Sequence, residues 1–192
     1  MVDARDRDAA WATVKEFTAS DNLRRHMLAV EAAMRVYAER LDQDPEEWGV
    51  VGLLHDFDYE AYPQAPDHPV EGEKILADRG WPDSVRRAIL SHADHTGVER
   101  RSPMEKALHA CDDVTGLIVA AALVRPDRDL RELKLKSLRK KWKSRAFAAG
   151  VDRDEVAAAA AEIGMTVEEH LAVVLGAMQG IAASLGLAGD DD

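Results

Sequence analysis

The stretch Val50–Asp58, VVGLLHDFD, is an apolar run that ends in adjacent histidine and aspartate side chains, His55 and Asp56. Just upstream, Asp44, Pro45 and Glu47 have the order of a helix start. A carboxylate caps it, a proline fits its first turn, and a glutamate lies three residues after the cap. The helix expected over 45–57 then passes through VVGLL, a run apolar enough to be buried on most sides. It carries His55 and Asp56 to the edge of the core, where an unpaired carboxylate is costly and a bound cation removes that cost. The doublet alone is a weak signal, because roughly one such pair is expected by chance in a chain of this composition. Its surroundings carry the reading.

The segments on either side read as helix, without an alternating strand or an Asn-Gly hairpin. Residues 6–19 form a first amphipathic helix with Trp11, Val14 and Phe17 inward. Asp21 is placed to cap a second over 22–41, in which Leu23, His26, Met27, Val30, Met34 and Tyr37 recur at three- and four-residue steps. His26 therefore lies on or beside its apolar stripe. After the doublet, YEAYPQAPD has turn chemistry and ends at His68 and Pro69, which puts His68 at the start of a short helix through Glu71 to Arg79, closed by Gly80. The next helix opens at Trp81 and Pro82 and carries Val85, Ile89 and His92 on its apolar side, with His95 near its end.

Ser102, Pro103 and Glu105 repeat the capping arrangement and start a long helix over 103–124. Leu108, Cys111, Asp112, Thr115 and Val119 share one of its faces. An acid among such neighbours is expensive to bury unless it is paired or ligated. Either Asp112 or Asp113 can supply an acidic ligand, and periodicity leaves both open. Past Pro126, residues 130–148 read as one or two basic helices, 152–164 as an Ala-rich helix, and 166–186 as a closing helix capped by Thr166 and Glu169. His95 and His109 read as structural or supporting histidines, and His170 as a surface residue. Trp142, set among lysines, reads as a side chain that packs its helix onto the bundle.

Composition narrows the function classes. With 192 residues, one domain is expected. At 46% hydrophobic and 32% charged residues the chain reads as a soluble globular protein, expected to be cytoplasmic, with neither a spanning segment nor a signal pattern. A single Cys111 excludes an intrachain disulfide and a cysteine-built zinc site, so any metal must use histidine and carboxylate. The net charge of -11 argues against a nucleic-acid polymer as partner. One segment departs from that balance: KLKSLRKKWKSR, Lys134–Arg145, carries seven basic residues and no acid. It reads as a solvated helix face or as an anion-attracting patch.

The order His26, His55 with Asp56, then Asp112 resembles the HD-domain superfamily of metal-dependent phosphohydrolases, whose pattern is H…HD…D on a helical bundle. LLHDFDYE, HPVEGEKIL, AILSHADH and the acids before VTGLIVAAALVRP are similar to a group of small bacterial hydrolases within it, over roughly residues 20–185. The resemblance implies an all-α bundle: a single HD domain over 1–192, with a core at about 20–125, a C-terminal helical extension at about 127–186 and a disordered tail at 187–192. It implies that His26, His55, Asp56 and Asp112 bind metal, with Asp112 preferred to Asp113. Relatives with two metals add histidines where His68 and His92 stand. The chain lacks the GYP element and the adjacent histidine pair of the HD-GYP phosphodiesterases.

Imidazole with carboxylate suits one or two divalent iron, manganese, zinc, cobalt or nickel ions rather than calcium. The expected reaction is hydrolysis of a phosphomonoester, phosphodiester or phosphoanhydride of a nucleotide-like small molecule by a metal-activated hydroxide. Asp56, His68 and His92 would be its catalytic residues, with Asp56 bridging two ions. Lys136, Lys140 and Lys141 are candidates for attracting the phosphate. The alternative is a metal-stabilised regulatory or binding protein without turnover, offering its acidic surface or closing helix to a protein partner. No membrane association is expected, and the oligomeric state is left open.

Overall fold

A computed structural model describes residues 2–189, and every named element in it is helical. In chain order these are α1 (Arg7–Phe17), α2 (Asp21–Arg40), α3 (Pro45–Leu54), α4 (Asp67–Asp78), α5 (Asp83–Ser91), α6 (Pro103–Leu123), α7 (Leu135–Lys143), α8 (Arg153–Glu162) and α9 (Val167–Gly180). Short 3-10 turns lie at Asp94–Thr96 and Leu130–Glu132. Among the described residues no helix is long and apolar enough to cross a membrane.

The central helix is α3, which is apolar all round and so can only be stable when enclosed. Every residue from Trp48 to Asp58 is buried. Asp44 starts it as expected, its side chain accepting from the N–H groups of Glu46 and Glu47. Helix α2 packs almost backbone to backbone upon it through Gly52, where an added Cβ would sit 3.0 Å from the Glu31 backbone. That close approach brings His26 of α2 over the end of α3. Helix α6 closes the third side, started by a full capping box at Ser102 and Glu105.

Several boundaries differ from the sequence reading. The α3 ladder ends at Leu54, and residues 55–61 continue as tight turns, with Tyr59 N–H donating to Asp56 C=O and Ala61 N–H to Asp58 C=O. The cap of α2 is Ser20, whose hydroxyl accepts from Leu23 N–H, and Asp21 is the first helical residue. The basic stretch makes one helix, α7. The closing helix stops at Gly180 and the chain goes on in turns to Gly186.

Two expectations are overturned. The tail placed at 187–192 is packed over its described part: Leu187 is buried and its carbonyl accepts from Leu130 N–H at 2.8 Å. Ala188 also bridges to Asp129. An apolar side chain with a backbone partner gains more from docking than from freedom. Residues 190–192 lie outside the described part. His170, read as a surface residue, is fully buried between α2, α6 and α9. Its Nε2–H donates to Ala110 C=O at 2.7 Å, so its Nδ1 accepts from the Tyr37 hydroxyl at 2.6 Å. Burial holds its pKa below the ordinary histidine range, which fits a neutral ring with one donor and one acceptor satisfied.

Candidate metal centre

The end of α3 brings together four imidazoles and two carboxylates drawn from α2, the 55–58 turn, the start of α4, the end of α5 and the middle of α6. They form two groups that share Asp56. His26, His55, Asp56 and Asp112 each offer one ligand atom, all within 4.8 Å of one another, and so do Asp56, His68 and His92. The sharing is resolved at the level of atoms. Asp56 Oδ2 faces His26 Nε2 at 3.5 Å and His55 Nε2 at 3.4 Å. Its Oδ1 faces His68 Nε2 at 3.2 Å and His92 Nε2 at 3.6 Å. Asp112 Oδ1 completes the first group, 3.1 Å from His26 Nε2. Asp113 lies half-buried beside it and joins neither group.

The opposite nitrogen of each ring is tied down. His55 Nδ1 lies 2.8 Å from Gly52 C=O and His92 Nδ1 2.5 Å from Ile89 C=O. Carbonyls only accept, so both Nδ1 atoms must carry the proton. His68 Nδ1 donates to the buried carboxylate of Asp58 at 2.9 Å, and that carboxylate also accepts from Gly72 N–H at 3.0 Å. Thr115 donates its hydroxyl proton to Asp112 C=O at 2.8 Å, which leaves its oxygen to accept from His26 Nδ1–H at 3.2 Å. In the neutral rings all four Nε2 lone pairs therefore point at carboxylate oxygens. Two of them, on His26 and His55, stand only 3.2 Å apart.

Electron-pair donors facing one another repel unless protons or cations stand between them. Burial pushes His26 down, but hydrogen bonds to Asp112 and Asp56 outweigh it and raise its pKa to about 9. His68 follows the same pattern, with Asp56 and Asp58 lifting it to about 9 against burial. His55 is likewise raised, and burial of Asp56 and Asp112 is overcome by the imidazoles, which hold both carboxyls well below their usual range. Asp113, buried next to the Asp112 charge, is pushed the other way, to about 6.

The direction of these shifts fixes a pH dependence. A histidine raised from its ordinary value of 6.5 to about 9 contributes stability that is fully present below 6.5 and lost as pH rises through 9. Metal-free protein should therefore weaken between those limits. A divalent ion must displace the same protons, so its apparent affinity should climb over that window. We expect calorimetric titration at neutral pH, repeated in buffers of different ionisation enthalpy, to report release of roughly three protons, from His26, His55 and His68, as the centre fills. Binding without proton release would contradict this arrangement.

Supporting contacts that composition did not single out surround the cluster. Asp58 is one; its clue in the sequence is a second aspartate two residues after Asp56, inside an otherwise buried run. His95 Nε2–H donates to the backbone carbonyl of His68 at 2.7 Å and His109 Nδ1–H to that of His92 at 3.1 Å, as fits supporting histidines. The basic helix α7 packs on α6 and α9, with Trp142 half-buried as expected. Arg139 pairs with Glu168 and Arg145 with Asp154, so acids from α8 and α9 offset its charge. Lys136 and Lys140 are exposed, and Lys141 lies over the Phe147 ring at 4.5 Å. Among the described residues, no hydrogen bond or ion pair joins these three lysines to the cluster.

The family model for the HD domain matches residues 23–123, more than half of the chain and the span that holds all six cluster residues. No curated protein and no solved structure matches it.

Proposed function

The chain belongs to the HD domain family, and from that membership together with the cluster we infer a metal-dependent phosphohydrolase. Its substrate would be a phosphomonoester, phosphodiester or phosphoanhydride of a nucleotide-like small molecule. The observation that carries this reading is the convergence of four Nε2 lone pairs on both oxygens of one carboxylate, Asp56. A donor set of four imidazoles and two carboxylates fits divalent iron, manganese, zinc, cobalt or nickel. His26, His55, Asp56 and Asp112 would hold one ion, and Asp56, His68 and His92 a second. Such ions, when bound, supply Lewis acidity toward phosphoryl oxygens and bring a water near its pKa at neutral pH.

The chain's own residues do the positioning. The carbonyls of Gly52 and Ile89, the Asp58 carboxylate and the Thr115 hydroxyl keep each Nδ1 protonated and each Nε2 free. The buried walls of α3 keep bulk water from the back of the site, so access is from the side of His26 and Asp112. Those side chains are 23% and 27% exposed, against 0% for His55 and 12% for Asp56. Protein loaded in turn with each of the five metals should release phosphate from at least one nucleotide or simple phosphoester. A chelator should lower that rate by a hundredfold or more, on the order of the several kcal/mol that metal ions contribute to such transition states. Silence across all metals and substrates would favour a metal-stabilised binding protein instead.

A further inference from the structure

A cleft of about 370 Å³ opens on the accessible flank of the cluster, and His26 is common to both. Its walls are Val119, Ala120 and Leu123 of α6 facing Leu185 and Leu187. The volume lies within the range of small-molecule sites, which are mostly apolar with a few placed polar groups. Two large apolar side chains stay in water at its end of α6, Leu123 at 50% and Val124 at 57% exposure. Arg25 supplies the cation. Its guanidinium lies against Gly186, where an added Cβ would meet Cζ at 3.1 Å and where the backbone is left-handed at φ +65. Among the described residues no carboxylate pairs with Arg25, although the chain carries a net charge of -11.

We propose that this cleft receives the organic arm of the phosphorylated substrate, an apolar group carrying a second anion that meets Arg25. The proposal rests on the phosphohydrolase reading above. His26 and Asp112 are the most exposed members of the cluster, so a phosphoryl group that approaches from their side leaves whatever is esterified to it on that flank. There the aliphatic walls gain from covering the arm, and Arg25, the cation among the described lining residues, offers a charge complementary to a further phosphate or carboxylate. Gly116, exposed and one turn before Val119 and Ala120, also lines the cleft, in the middle of a helix where glycine is unfavourable, and an added Cβ there meets nothing within 4 Å.

Binding of non-hydrolysable phosphonates to protein loaded with Mn²⁺ tests this independently of turnover. From methyl- through butyl- to hexylphosphonate, wild-type affinity should rise by roughly fourfold per methylene until the cleft is filled. Gly116→Leu puts a side chain into the open space at the cleft's lining and also improves helix propensity, so it should fold and erase that gain. Arg25→Gln should erase a preference of roughly two- to fivefold for 6-carboxyhexylphosphonate over hexylphosphonate. Metal content and thermal midpoint, measured on each variant, separate a filled cleft from a damaged fold. Equal wild-type affinity for methyl and hexyl probes, or a chain-length gain that survives Gly116→Leu, overturns the proposal. If no phosphonate binds, methyl included, the phosphohydrolase reading falls and takes the cleft with it. A chain-length gain without turnover of any ester would leave the cleft standing and remove only the hydrolase.

Discussion

Asp56→Ala is expected to empty both ion sites and to lower hydrolysis by on the order of a thousandfold or more. The expectation rests on the carboxylate's two faces. Oδ2 is within 3.5 Å of the His26 and His55 Nε2 atoms and Oδ1 within 3.6 Å of those of His68 and His92, so a single substitution removes a ligand from each group. It also leaves four inward imidazoles with Asp112 as their only carboxylate in the cluster. Losing ions that bind only the folded state costs about 3 kcal/mol per site at a hundredfold excess over Kd. For a chain of this size, losing both corresponds to a fall of roughly 10–20 °C in thermal midpoint. Asp113→Ala should do much less, since Asp113 belongs to neither group. Metal analysis, phosphate release and a thermal melt on one preparation check all three effects. Equal metal content and activity in wild type and variant would eliminate the site.

The second large effect separates catalyst from structural cement. His68→Ala or His92→Ala should reduce the bound metal from about two ions toward one and cut hydrolysis by on the order of a hundredfold or more. The protein should stay folded, because His26, His55, Asp56 and Asp112 still hold an ion against the buried carboxylates. The loss of thermal midpoint should accordingly be smaller than for Asp56→Ala. A binding protein would behave differently: one tightly held ion, no phosphoester turnover under any divalent metal, and little response of metal content to either histidine. Stoichiometry and phosphate release measured together on wild type and both variants decide between them.

What could be read from the sequence was whatever local chemistry dictates. Capping residues located the starts of α3, α6 and α9, since a side chain that satisfies an orphan N–H is a short-range device. Apolar periodicity put His26 and His92 on inward faces. What escaped depended on contacts distant in the chain. Asp58 has a role only because α4 returns His68 and Gly72 to it, ten and fourteen residues on. His170 is buried because its partners Tyr37 and Ala110 come from other helices, although its spacing with Val174 and Met178 along α9 was a usable signal. Local propensity likewise could not show that Leu187 finds a backbone partner at Leu130, which turns an expected loose end into a wall.

The Asp58 carboxylate, gripping both His68 and Gly72, has a further consequence for the segment it closes. Residues 59–66 form a loop exposed along almost all its length, yet both its ends are fastened at one buried point. The entropy of closing such a loop grows only logarithmically with its length, by about 0.6 kcal/mol per doubling. Beyond Glu60, whose carboxylate accepts from the N–H groups of Ala19 and Ser20 ahead of α2, the stretch leading to His68 is thus relieved of setting the geometry of the centre: it can lengthen or shorten at small thermodynamic cost while the histidine it leads to stays in register.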